Sequence, residues 1–169
     1  GPFHKGIDIV VEAFLKMPNM ELHIFGNIEL NVKLWQWFNL ITHNSKNIVY
    51  HGWATPESKK FEEYAQLCDA IVFASSSEGG AGSVIQCLQF GLIPILNEAT
   101  AIDLRDNEFK IVGNTPEEEI ESIIENVIRF NKTDNEKLQN YSNTLKKHFI
   151  KTNTLANYSI SLKQVIGTI

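Results

Sequence analysis

Short apolar runs at residues 21–26, 47–52, 70–74 and 93–96 alternate with segments of helical periodicity. This alternation narrows the fold more than any other property of the chain. Strands joined through helices of about ten or more residues cannot pair as tight hairpins; they return through right-handed crossovers and lie parallel. The expected fold is α/β, a doubly wound and mainly parallel sheet followed by C-terminal helices. Ile7, Val10, Val11, Phe14 and Leu15 recur at helical spacing over residues 7–17, and Leu30, Leu34, Trp37, Phe38 and Ile41 do so over 30–42. Thr55 and Pro56 read as N-cap and first helical residue of a helix reaching about residue 68. Residues 82–90 form a helix ended by Gly91, and 110–112 a weaker strand. Thr115-Pro116-Glu117-Glu118 repeats the cap signature with Glu118 placed for a capping box, and helices follow at 116–130, 134–150 and 152–166.

The length of 169 residues suits a single domain, 1–169, able to bury a core. The chain opens on a loop-to-helix transition, whereas a doubly wound domain ordinarily starts with its central strand, so the chain reads as a fragment or an unusually trimmed domain. A formal net charge of -5 argues against sequence-independent nucleic-acid binding, so no nucleic-acid partner is expected. No run approaches the roughly 20 apolar residues of a membrane span, and no signal peptide is visible. Cys68 and Cys87 sit in apolar segments without paired spacing, as buried reduced thiols of a cytoplasmic protein would. No His, Cys or carboxylate group has metal-ligand spacing, so no metal is expected.

The chemistry concentrates in residues 75–86, Ser-Ser-Ser-Glu-Gly-Gly-Ala-Gly-Ser-Val-Ile-Gln. A strand that breaks into small residues and re-forms as a helix offers free backbone N–H groups and the positive end of a helix dipole at one point. Glu78 stands at its entrance and Gln86 lies two helical turns further in. The set suits a phosphate-bearing ligand with hydroxyls to be recognised, such as a nucleotide sugar. In a doubly wound sheet such a ligand sits beyond the carboxyl ends of the strands, here near Gly26, Gly52 with Trp53, residues 75–82 and 97–100.

Lys5-Gly6 opening a helix, Phe25-Gly26, Tyr50-His51-Gly52, and Glu78-Gly79-Gly80 with seven residues before Gln86 and then Gly91-Leu92-Ile93-Pro94 follow a familiar order. Over roughly residues 3–130 this resembles the C-terminal, donor-binding domain of the group 1 glycosyltransferases, the Rossmann-like half of a GT-B fold. The resemblance implies a retaining, metal-independent transferase that moves a sugar from a nucleotide-diphosphate sugar, its substrate, to a glycan or lipid-linked acceptor, with no further cofactor. Lys5 would meet the donor diphosphate and Glu78 the transferred sugar. The backbone of Gly79, Gly80, Ala81, Gly82 and Ser83 would reach both, Gln86 the ribose hydroxyls, and Gly26, Gly52 and Trp53 the nucleotide end. The acceptor-binding N-terminal domain has no counterpart here, so the chain alone is expected to be inactive. Any approach to the inner face of the membrane would run through that domain. Surface-polysaccharide synthesis is the expected setting.

Two departures bear on affinity. Gln86 replaces the family's second acid, exchanging a charged hydrogen bond of about 1.5–3 kcal/mol for a neutral one of about 1, roughly tenfold in binding. The arginine expected shortly before Lys5 is missing. Plainer readings stand beside each assignment. Glu78 can be a helix-terminal carboxylate worth about 0.3–1 kcal/mol to the dipole, Lys5 a solvated lysine, and Gln86 a structural hydrogen-bonder. His51 is a further candidate for the base pocket, whereas His23 reads as a half-buried strand residue. A non-catalytic nucleotide or nucleotide-sugar binding module is the alternative function. A response-regulator-like domain is disfavoured because the strand ends at Gly26-Asn27 and Gly52-Trp53 carry no acidic pair.

Overall fold

A computed structural model describes residues 2–55, 57–104 and 108–152. After a 3-10 turn at Pro2–Lys5 come α1 (Ile7–Leu15), β1 (Leu22–Ile24), α2 (Val32–Thr42), β2 (Ile48–Tyr50) and α3 (Lys59–Leu67). β3 (Ala70–Phe73), α4 (Gly82–Phe90), β4 (Ile93–Leu96), α5 (Pro116–Lys132) and α6 (Asn135–Thr152) follow. The α/β alternation is as the sequence dictates, and the two trailing helices reach their expected places. The third expected helix, 152–166, lies outside the described residues except for Thr152, which ends α6, and Pro56 also lies outside them.

All strand pairing in named strands is parallel. Leu22 pairs with Ile48 and Ile24 with Tyr50, while Ala70 pairs with Ile93 and Phe73 with Leu96. The pairs form two separate two-stranded sheets, β1–β2 and β3–β4, not the single sheet expected. The weak strand at 110–112 contracts to one bridge, Leu96 to Lys110, with the Ile111 N–H donating to Leu96 O at 2.8 Å.

The main core joins Val10, Ala13 and Phe14 of α1 to Val84 and Leu88 of α4, Ile93 and Ile95 of β4, Ile120 and Ile123 of α5 and Leu145 and Phe149 of α6. α1 packs on α5, and α4 on α6. A second cluster, Val11, Ile24, Ile28, Leu34 and Phe38, fixes α2 over β1. Asn47 fastens the two clusters: its amide nitrogen lies 2.8–3.1 Å from Phe14 O, Met17 O and Met20 O, closing the α1–β1 turn.

Three local details differ from expectation. The third helix is capped by Ser58, whose Oγ accepts from the Phe61 N–H at 3.2 Å, while Thr55 sits a turn earlier and accepts the Ser58 N–H through its carbonyl. Two capping residues three positions apart both satisfy the sequence rule, and the second is the one used. Leu30 belongs to a 3-10 turn, Ile28–Leu30, and is 77% exposed, because Asn31 caps α2 by accepting from the Leu34 N–H. Glu118 reaches back to the Asn114 N–H, one residue before the Thr115 cap that accepts the Glu118 N–H. None of the described helices is long and apolar enough to cross a membrane.

Candidate functional site

The site is assembled where the turn before α1 meets the loop after β3. Gly6 has φ +69°, and a Cβ there would stand 1.9 Å from Ala74 O, so only glycine lets the two backbones approach. His4 O accepts from Ser75 Oγ at 3.0 Å, Ser76 N at 2.8 Å and Ser76 Oγ at 3.1 Å. This clamp fixes the position of Lys5. Its Nζ lies 3.3 Å from Glu78 Oε1 and 5.8 Å from the centre of the Phe73 ring. Glu78 is 15% exposed, and the same Oε1 is buried without a partner of hydrogen-bonding geometry, so the pair is an electrostatic contact with capacity to spare.

The loop 97–101 braces this arrangement from behind. Asn97 Nδ2 donates to Ser75 O at 2.7 Å and contacts Glu119 Oε1 at 3.1 Å. The Glu78 N–H donates to Ala99 O and the Ala81 N–H to Thr100 O. Ala81 is the N-cap of α4 and offers no side-chain cap. Gly82 and Ser83 are exposed, and among the described residues no acceptor meets the N–H groups of Gly79, Gly80, Gly82 or Ser83. Four unmet donors beside a helix N-terminus make a local anion cradle within a negatively charged protein.

Lys5, Gly26, Trp53, Gly82, Ser83 and Gln86 line one cavity of about 710 Å³. Glu78 joins them through Lys5, and Gly79, Gly80 and Ala81 form the connecting loop. Gln86 faces the cavity with no hydrogen-bond partner among the described residues, so the structural bond that would have explained it is not made. Trp53 is 63% exposed on the rim. Gly52 stands behind the wall, accepting the Gly26 N–H at 3.0 Å, while Tyr50 Oη donates to Gly26 O at 2.6 Å.

His51 does not line the cavity. It bonds His23 across the strands at 2.9 Å and stacks on Phe25 at 4.7 Å, with Tyr64 4.1 Å away. Burial, helped by His23 and then Lys60, lowers its pKa from the usual histidine value. Among the described residues no three His, Cys, Asp or Glu side chains group as a metal site would need. Cys68 and Cys87 are free thiols, and burial pushes Cys87 up to about 12.

The sequence places Asn27, Ser75 and Asn97 at strand ends near the ligand but assigns them no contact, and it gives no sign of Phe73 in the cavity wall or of the bracing roles of Ser75 and Asn97. Asn97 follows directly on an apolar strand, the one signal that could have marked it. The others depend on contacts between segments far apart in the chain.

No protein-family model matches the sequence, and no curated protein matches it. Among solved structures the fold is shared with glycosyltransferases. The chain superposes on a structure of the GtfA/B complex with a TM-score of 0.71 at 20% identity, 96% of this chain covering 34% of that one. The pneumococcal O-GlcNAc transferase GtfA, solved with UDP and GlcNAc, gives 0.72 at 17%, again with 96% of this chain and 34% of that one. A glycosyltransferase from Rickettsia africae ESF-5 gives 0.73 at 15%, with 96% and 45% covered. The chain therefore has the α/β fold of a glycosyltransferase half-domain and spans between a third and a half of those proteins.

Proposed function

We propose that the chain is the donor-binding domain of a retaining, metal-independent glycosyltransferase, holding a nucleotide-diphosphate sugar in the cavity between Lys5, Gly82 and Gln86. The observation that carries this reading is the convergence of one cation, a row of unmet backbone donors and an unpartnered amide on a single cavity. A diphosphate suits the first two and a ribose hydroxyl the third. An isolated Glu78 would repel a diphosphate, so holding Lys5 against it offsets that repulsion until the phosphate arrives. Lys5 then turns to the phosphate and Glu78 to the hydroxyls of the sugar.

The chemistry of this proposal is positional and electrostatic. As the glycosidic bond to the diphosphate breaks, negative charge grows on the leaving oxygen, where Lys5 and the α4 amides are preorganised to receive it. Glu78 holds the sugar so that the bond is aligned. The acceptor, a glycan or a lipid-linked one, would come from a further domain of the complete protein.

Calorimetric titration with UDP, GDP and ADP tests the reading. One diphosphate should bind, with Lys5→Ala weakening it at least tenfold and Gln86→Ala only a few-fold. Failure of all three to bind overturns the proposal. A second reading, a binding module without catalysis, draws on Gln86 standing where a charged ribose contact would be stronger. Donor binding by the complete protein with neither transfer nor donor hydrolysis would select it.

A further inference from the structure

The cavity wall built from β1 and α3 contains a pair of histidines that the nucleotide reading leaves unused. His23 Nδ1 of β1 stands 2.9 Å from His51 Nε2, just past the end of β2. Aromatic rings hold the pair in place. His51 stacks on Phe25 at 4.7 Å, and the Tyr64 ring lies 4.1 Å from His51 and 5.1 Å from His23. Phe25 in turn meets Phe61 and Tyr64 edge-on at 5.7 and 5.6 Å. His23, Phe25, Phe61 and Tyr64 line the cavity, and His51 props them from behind.

A bond between two imidazoles limits the protons the pair can hold. A neutral ring carries one N–H and one lone pair, whereas a protonated ring carries two N–H groups and no lone pair. The contact therefore survives with both rings neutral or with one of them charged. A first extra proton suits His23, whose Nε2 lies 3.7 Å from Glu21 Oε2, and Nδ1–H then donates to the lone pair of His51 Nε2. A second proton sets N–H against N–H at 2.9 Å, and the bond becomes a repulsion of like charges. The charged groups facing His51 are His23 and Lys60, whose ammonium donates to His51 O at 2.8 Å, so its neighbours are cations. Cys68, the C-cap of α3, lies with Glu21 and Asp69, and burial and then those two acids raise its thiol. Burial, His23 and Lys60, in that order, lower the pKa of His51, so the second proton enters below the ordinary value of 6.5.

Expulsion of the His51 ring would take the stacking partner from Phe25 and loosen the wall in front of it. The backbone carries the same movement to the ligand end. The His51 N–H donates to Ile24 O at 2.9 Å, and the next residue, Gly52, accepts the Gly26 N–H at 3.0 Å. Gly26 and Trp53, which flank that bond, line the cavity. We propose that the His23–His51 pair is an acid-operated latch: holding at most one extra proton it keeps the wall closed, and a second proton opens the wall and weakens nucleotide binding. The effect on binding rests on the nucleotide reading of the cavity, whereas the opening of the wall does not. A ligand that needs the closed wall binds the form lacking the second proton. Its affinity is therefore full near neutrality and falls as pH drops through the folded value of His51.

Nuclear magnetic resonance between pH 7.5 and 5.0 follows the His51 ring with the Gly26 and Gly52 amides, in the wild type, His51→Gln and His23→Gln. In the wild type both amides should shift with the midpoint of the His51 ring. Glutamine at 51 takes up no proton, so the amides should stay where they are. Glutamine at 23 offers a carbonyl oxygen to a protonated His51, so the ring should titrate there while the amides again stay. Calorimetry with UDP at pH 7.5 and 5.5 reads the coupling, and the wild type should lose at least fivefold more affinity than either variant. Protonation of the phosphate itself, at about pH 6, is common to the three proteins and cancels in that comparison. Amides that stay in the wild type while His51 titrates, or that shift alike in all three proteins, overturn the latch. An equal loss of UDP affinity in all three overturns the regulation. Absence of UDP binding at both pH values overturns the nucleotide reading instead, and the amide shifts then decide the latch.

Discussion

Replacing Gly6 with alanine should unseat the turn that carries Lys5. The residue sits at φ +69°, and the new Cβ would lie 1.9 Å from Ala74 O and 2.6 Å from Ala74 C. Both are backbone atoms at the end of β3, so no side chain can swing aside. Left-handed backbone costs a residue with a Cβ about 1–2 kcal/mol, and forcing extra volume into a packed contact adds about 1–3 kcal/mol. A loss of about 3.5 kcal/mol is the central expectation, which in a domain of this size is a fall of about 10 °C in Tm. Separation of the two backbones would also break the three bonds to His4 O and move Lys5 away from Glu78. Urea denaturation monitored by circular dichroism measures the loss. Gly82→Ala is the matched control, since a Cβ there meets nothing within 4 Å and its φ is ordinary for a helix. Gly6→Ala within about 0.5 kcal/mol of the wild type would refute the close-approach argument.

Asn47→Ala removes the side-chain donor that Phe14 O, Met17 O and Met20 O share, of which the first two keep backbone donors, and should cost about 1–2 kcal/mol, read as a shift of the urea midpoint at unchanged slope. Thr115→Ala, which removes the cap on the Glu118 N–H, should cost about 1 kcal/mol. The lowered pKa of His51 sets a pH dependence. The unfolded chain binds the proton more readily, so stability is full above the ordinary value of 6.5 and falls as pH drops through the folded value. His51→Asn should flatten that decline in melting curves taken between pH 7 and 5. Cys87, with its thiol pushed up to about 12, should react with a disulfide reagent at pH 8 only when the protein is unfolded.

The elements bounded by strong local signals were legible in the sequence. Residues 82–90 and 93–96 have the expected limits because Gly91 can take φ +95° as the C-cap and an apolar run follows it directly. The start of α3 was ambiguous because Thr55 and Ser58 obey the same capping rule, and the choice between them is made by the packing of Phe61 beside Ala65 and Cys87. The separation of the sheet into two pairs could not be read, since periodicity says that a strand is buried but not which edge is paired. The candidate site divides the same way. Glu78, Gly82 and Gln86 lie within one strand–loop–helix segment, whose geometry follows from its own residues. Lys5 reaches Glu78 only through Gly6 against Ala74, a contact across 68 residues of chain that no local pattern encodes. His51 shows the opposite error: its neighbours in sequence suggested the ligand, while register with β1 turned it to His23 and Phe25.

The central claim, that the α4 N-terminus and Lys5 receive a nucleotide diphosphate, is tested most directly by following backbone amide resonances as UDP is added. The account predicts saturable shifts at Gly79, Gly80, Gly82 and Ser83 together with the Gln86 side-chain amide, all diminished in Lys5→Ala. Saturation of shifts elsewhere with these amides unmoved, or no shift with UDP, GDP or ADP, would contradict it.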